Sequence, residues 1–170
     1  MNHNTETALF CVTDDIRLAI DKNQCTILIL FDFSKAFECV NHRLLIAKLK
    51  ALGFSPGVLS WVESHLRDRR QCVRVGDMCS QWMTLFCGVP QGSILGPLLF
   101  SFSLYVNDIG TALRTLDYQN YADDLQINCH TSLDQFDDTV QHINSKINDL
   151  VKWTEINGLK LNSTKTQPIT

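Results

Sequence analysis

The sequence predicts an α+β domain: an antiparallel sheet with helices packed on one face. Three observations carry that expectation. Thr26 to Phe33 is a run of β-branched and large apolar residues, the composition of a buried central strand. Leu116, Tyr118 and Tyr121 precede the adjacent acids Asp123 and Asp124, and Leu125, Ile127 and Cys129 follow, an alternation that reads as a β-hairpin with the acids at or near its turn. Helical periodicities are interleaved with these strands instead of following them in a block.

In chain order, Thr5 to Ile20 sets Ala8, Leu9, Val12, Ile16 and Ala19 at helical spacing ahead of the polar break Asp21-Lys22-Asn23, which predicts a helix packed on the sheet. The central strand comes next. Asn41 fits an N-cap before Leu44, Leu45, Leu49 and Leu52, and Gly53 closes that helix. Ser55-Pro56 opens another, with Val58, Leu59, Trp61, Val62 and Leu66 inward. It ends in Arg67-Asp68-Arg69-Arg70, a basic cluster suited equally to a helix C-terminus and to phosphate. Gln71–Val75 and Gln81–Phe86 flank Gly76-Asp77 as a second hairpin. Gly88 to Gly96 is a Gly- and Pro-punctuated loop whose bare backbone can approach a ligand closely. Ser93 to about Ile109 is nearly all apolar and predicts a buried helix. Beyond the acidic hairpin, Ser132 with Gln135 spells a capping box. Phe136, Val140, Ile143, Ile147, Leu150 and Val151 then form one helical face up to Gly158, and Leu159–Leu161 reads as a short last strand.

Composition narrows the function classes. The 170 residues make one domain, 45% apolar and 19% charged, with no repeat, linker or low-complexity segment. The longest mainly apolar stretch, Ile94 to Val106, is too short to span a bilayer, so no membrane partner is expected. No signal peptide follows Met1, and the seven cysteines show no Cys-x-x-Cys pair or ligand-like spacing with the histidines. They read as reduced thiols of an intracellular protein. The net charge of −3 runs against a uniformly basic, polyanion-binding surface.

The acids carry the chemistry. An isolated Asp-Asp pair is ordinary turn composition. Asp32, however, ends an apolar strand, where a carboxylate is costly unless paired or bound to a cation. If the fold brings it beside the hairpin acids, like charges about 4 Å apart repel by roughly 4 kcal/mol at an effective dielectric near 20. A divalent cation resolves that conflict, and carboxylate ligands suit Mg²⁺ or Mn²⁺.

Phe31-Asp32-Phe33-Ser34-Lys35-Ala36-Phe37, Gly88-Val89-Pro90-Gln91-Gly92-Ser93-Ile94-Leu95-Gly96-Pro97 and Tyr121-Ala122-Asp123-Asp124 resemble, in order and spacing, the signatures of reverse transcriptases, in the wording of non-LTR (LINE-like) retrotransposons. Trp153, Asn157-Gly158-Leu159-Lys160-Leu161-Asn162 and Lys165-Thr166 resemble the segment that follows. The resemblance spans nearly the whole chain and implies a polymerase palm over residues 1–170, with most of the fingers and the thumb missing. It implies an RNA-directed DNA polymerase using an RNA template, a DNA primer, dNTPs and two Mg²⁺ ions, with Mn²⁺ the alternative. Asp32 and Asp123 would hold both ions, Asp124 would support them, and Phe33 would add its backbone carbonyl. Phe37 matches an aromatic gate against the ribose 2′-hydroxyl, Gln91 and Gly92 would border nucleotide and template, and Lys165 matches a lysine that protonates the departing pyrophosphate. The rival reading is a catalytically inactive retroelement remnant that keeps the acids by descent. An RNA-templated RNA polymerase is disfavoured by Phe37 and Ala122. Glu38 stands where the family usually has Asp, and Phe100–Tyr105 is two residues longer than the usual wording, which predicts a bulge or an early helix end.

Overall fold

The computed structural model describes residues 5–90, 96, 99, 104–121 and 124–169. A helix, α1 (Thr5–Asp21), leads into the strand β1 (Cys25–Phe31). Two helices follow, α2 (His42–Ala51) and α3 (Pro56–Leu66), and then two short ladders: β2 (Arg70–Gln71) on β5 (Met83–Thr84), and β3 (Arg74–Val75) on β4 (Met78–Cys79). The acidic hairpin is β6 (Asp117–Tyr121) and β7 (Asp124–Thr131), followed by the long helix α4 (Phe136–Ile156) and the strand β8 (Gln167–Ile169). The main sheet has the order β6-β7-β1-β8, all neighbours antiparallel. This is the expected α+β layer.

Register follows from the alternation. Ile27, Ile29 and Phe31 pair with Cys129, Ile127 and Leu125, so the bulky residues of both strands share one face. That face packs on Leu45 and Leu49 of α2, Val62 and Leu66 of α3, and Ile143, Leu150 and Trp153 of α4 in one apolar cluster. The opposite face carries Thr26, Leu28, Leu30 and Asp32 beside Gln126, Asn128 and His130. The central strand is therefore buried on one side only, and Leu30 is 38% exposed. An antiparallel sheet permits that; the apolar run alone does not reveal it.

Several local expectations hold. The Asn41 side chain accepts from Leu44 N–H at 3.1 Å at the start of α2, Pro56 occupies the first turn of α3, and Gly53 and Gly76 take positive φ. Others are corrected. Val58 and Trp61 face outward, because α3 lies at the periphery and turns only the stripe of Leu59, Val62 and Leu66 to the core. Ser132 does not cap α4: a 3-10 turn at Leu133–Gln135 intervenes, and the Ser132 side chain turns to Asp134, holding that carboxyl below its ordinary value. Val151 is exposed and Trp153 takes the buried position. The final strand is Gln167–Ile169 on β1, and Leu161 makes only an isolated bridge to Phe33. Of the helix expected from Ser93 to Ile109, residues 93–95, 97–98, 100 and 101–103 lie outside the described residues; Gly96 and Leu99 are helical. Leu104–Val106 are not helical and a 3-10 turn follows at Asn107–Thr111, so the expected helix does not reach Ile109; the additional residues within Phe100–Tyr105 lie mostly outside the described residues.

One polar knot ties the layers together. The fully buried Tyr105 hydroxyl donates to the Asn157 carbonyl (2.5 Å) and accepts from Asn41 N–H (3.1 Å). The Lys48 ammonium donates to the Tyr105 carbonyl (2.7 Å) and Asp108 (2.6 Å), with the rings of Tyr105 and Trp153 beneath it. Burial pulls the Lys48 pKa down, against the opposing effect of Asp108, and pushes the Tyr105 hydroxyl up. Tyr105→Phe leaves the buried Asn157 carbonyl and the Asn41 N–H without their partner, so it should cost about 2 kcal/mol in urea unfolding. A loss below about 0.5 kcal/mol would show that water replaces the hydroxyl.

Candidate active site

Asp32 emerges at the end of β1 on the sheet's open face, because Phe31 and Phe33 on either side of it point into the core. The last β1–β7 pair is Phe31 with Leu125, so the same register carried one step further sets Asp32 opposite Asp124, the first residue of β7. Both acids then share the open face, since residues directly opposed across an antiparallel pair point the same way. Tyr121 pairs with Asp124 from β6. Asp123, the other acid of the hairpin, lies outside the described residues, as do Gln91 and Gly92.

The 160–166 segment closes over Asp32. Ser34 N–H donates to the Lys160 carbonyl and Asn162 N–H to the Asp32 carbonyl, each at 2.8 Å. The Asn162 side-chain amide donates to Asp32 Oδ2 at 3.0 Å, and Lys165 Nζ stands 3.5 Å from the same oxygen. The Phe33 carbonyl takes no backbone hydrogen bond from a described residue. The sequence resemblance implies a role for Lys165 and none for Asn162. Its signal is local: Asn162-Ser163-Thr164 is turn chemistry, and the turn is what aims the amide.

Phe37 lies in a short 3-10 turn, Ala36–Glu38, entered through Lys35 in the left-handed region at φ 51°. Its half-buried ring packs on the edge of the core. The start of the Gly88 loop is fastened here: Gly88 N–H donates to the Val40 carbonyl and Val89 N–H to the Phe37 carbonyl, both at 2.8 Å. His42 Nε2 (2.8 Å) and Arg69 Nη1 (3.2 Å) both donate to the Gly88 carbonyl. Gly88 has φ +84°, and a Cβ there would sit 2.9 Å from the Glu38 carbonyl oxygen, so this crossing of two backbones requires glycine.

Charge is distributed unevenly. Residues 41–88 hold seven Lys and Arg against three Asp and Glu, a net of +4 in a chain of net −3. Among them, His42, Arg43, Arg67 and the largely exposed Phe86 line a hollow of about 460 Å³ beside the Gly88 carbonyl. Arg67 is paired with Glu63 at 2.8 Å.

Among the described residues, no three His, Cys, Asp or Glu side chains gather as a metal-holding group. The Asp32 carboxylate is nevertheless the hard-oxygen ligand type that a divalent cation takes, and a cation, the Lys165 ammonium, already rests on its Oδ2. All seven cysteines are free thiols. Among the described residues no helix is long and apolar enough to cross a membrane.

The family model "Reverse transcriptase (RNA-dependent DNA polymerase)" matches residues 2–170. The chain is 32% identical to the probable RNA-directed DNA polymerase from transposon BS of Drosophila melanogaster, over 96% of this chain and 18% of that protein. It is 30% identical to the RNA-directed DNA polymerase from mobile element jockey of Drosophila melanogaster, over 75% of this chain and 14% of that protein. It therefore spans less than a fifth of the length of these relatives. Among solved structures, telomerase from Candida albicans, in complex with a fragment of telomeric RNA, superposes with a TM-score of 0.65 at 15% identity, covering 99% of this chain and 32% of that one. At that identity the likeness shows the fold.

Proposed function

The chain belongs to the reverse transcriptase (RNA-dependent DNA polymerase) family, in its non-LTR, LINE-like branch, and from that premise we propose that it is the catalytic palm of an RNA-directed DNA polymerase. The observation that carries the reading is the arrival of Asp32 on the open face of the sheet, in register with the strand that begins at Asp124. Asp32, Asp123 and Asp124, with the Phe33 carbonyl, are the groups to hold two Mg²⁺ or Mn²⁺ ions. Such ions, when bound, activate a primer 3′-hydroxyl and neutralise the leaving pyrophosphate.

The chain's own residues do the rest. Gln91 and Gly92 border the incoming dNTP and the template base. Lys165 stands beside Asp32 with a proton to give to pyrophosphate. The basic surface of residues 41–88 supports an RNA template and DNA primer through their phosphates, which reconciles a net-acidic chain with a polyanionic substrate.

The test is primer extension on an RNA template with Mg²⁺ and dNTPs, using a full-length relative in which these 170 residues replace the matching segment. Product that depends on Asp32 supports the reading. A folded chimera without product points to an inactive descendant that has kept the acids.

In the same chimera, Phe37→Ala should raise ribonucleotide over deoxynucleotide incorporation at least tenfold, since relief of one steric clash is worth about 1–3 kcal/mol. The ring is half-buried, so the variant should also lose about 1–2 kcal/mol of stability. Unchanged sugar selectivity with that loss of stability would make Phe37 a packing residue.

A further inference from the structure

Asn162 holds Asp32 at two points, through its backbone N–H and through its side-chain amide. The rest of Asn162 is occupied in making the turn. Its Oδ1 accepts from Thr164 N–H (3.2 Å) and Thr164 hydroxyl (2.7 Å), which fixes the amide so that its nitrogen faces Asp32 Oδ2. Its carbonyl accepts from Lys165 N–H (3.1 Å), Thr166 N–H (3.0 Å) and the Thr166 hydroxyl (2.9 Å). The backbone of Lys165 is thereby tied down, while its ammonium meets Asp32 Oδ2 at the end of a flexible stem.

The two contacts on Oδ2 differ in kind. The amide is neutral, 3.0 Å away and locked by the turn. The ammonium is a charge at 3.5 Å on a side chain that is 68% exposed, an ion pair held weakly enough to exchange. A divalent ion arriving at Asp32 repels the ammonium and leaves the amide in place.

We propose that Asn162 and Lys165 form a cation-exchange clip on Asp32: Asn162 is a positioning residue that aims the carboxylate, and Lys165 occupies the cation position until a divalent metal ion displaces it. The clip rests on the reading of Asp32 as a metal ligand. It couples metal loading to release of a lysine whose backbone cannot drift, so the freed ammonium stays within reach of any anionic group that arrives with the ion. Before loading, the same ammonium offsets the negative charge of Asp32.

The experiment is Mn²⁺ binding to this chain by calorimetry or paramagnetic resonance at low salt. Lys165→Met removes the competing charge at an exposed position and should tighten Mn²⁺ binding about two- to fivefold, a gain that shrinks as salt rises. Asn162→Ala should weaken binding roughly tenfold, the usual effect of losing a partner that orients a metal ligand. Asp32→Asn should weaken it more than either. A ¹⁵N side-chain resonance of Lys165 should shift as Mg²⁺ is added and stay fixed in Asp32→Asn. If Lys165→Met binds Mn²⁺ no tighter while Asp32→Asn still weakens binding, the clip is overturned and the metal-ligand reading stands. If Asp32→Asn binds as tightly as its parent, both fall together.

Discussion

Asp32→Asn should reduce RNA-templated DNA synthesis by the chimeric polymerase at least about 100-fold while leaving its thermal stability within roughly 1 kcal/mol of the parent. The activity loss follows from the role of the carboxylate. Changing only the partners of a metal ligand costs about 10–100-fold, and a direct ligand costs no less. The near-constant stability follows from what else Asp32 touches. Asparagine keeps the shape and an oxygen for the Asn162 amide, and the pair it gives up is with an exposed lysine, worth about 0–1 kcal/mol. Primer extension beside a thermal melt separates the two outcomes. A variant that loses activity and several kcal/mol together would mean that Asp32 holds the sheet end together, and the catalytic assignment would lose its support.

Gly88→Ala should be the most destabilising small substitution in the described chain, by about 3 kcal/mol or more, with Gly53→Ala as its control. Both glycines have nearly the same φ, +84° and +85°. A Cβ at Gly53 meets nothing within 4 Å, so that variant pays only for the left-handed backbone, about 1 kcal/mol. A Cβ at Gly88 lies 2.9 Å from the Glu38 carbonyl oxygen and 3.1 Å from Glu38 Cα, neither of which can swing aside like a side chain. Relief requires the 3-10 turn at Phe37 and the backbone at Val40 to move, breaking the hydrogen bonds from Gly88 and Val89. Urea unfolding of the two variants measures the difference. Equal losses would mean that the crossing opens without strain.

The parts of the site that were legible in the sequence are those written by local pattern. Ile27, Ile29 and Phe31 alternate with residues of the other face, as do Leu125 and Ile127 on the partner strand, and a one-residue slip would turn the core set to solvent. The pairing of the Asp32 strand with the acidic hairpin is therefore encoded, and Asp32 falls on the open face as a matter of parity. Asn162 stayed without a role because its partner is 130 residues away and nothing local names it. β8 was missed for a different reason. Gln167-Pro168-Ile169 is three residues long and contains a proline, which argues against any interior strand, yet at a sheet edge one side needs no donor. The capping box failed because its spacing also suits a single 3-10 turn, and Ser132 has a nearer partner in Asp134. Val58 and Trp61 were set inward because α3 is apolar on more than one side, and periodicity cannot tell which apolar stripe meets the core.

The short strand β8 has a consequence for the edge of the sheet. Thr26–Phe31 is a six-residue window without charge, proline or glycine, rich in β-branched and leucine side chains, the composition that stacks into dry cross-β spines when its edge is free. In the folded chain one edge of that window is taken by β7 and part of the other, at Leu28 to Leu30, by β8. Pro168 lies at the middle of the guarding strand, where its missing N–H makes the outward edge a poor template for another copy. Three exposed residues thus cover part of the edge of an uncharged, strand-forming segment. Freeing Gln167–Ile169 while β1 stays extended would uncover the backbone donors and acceptors of Leu28 to Leu30 on the strand that leads to Asp32.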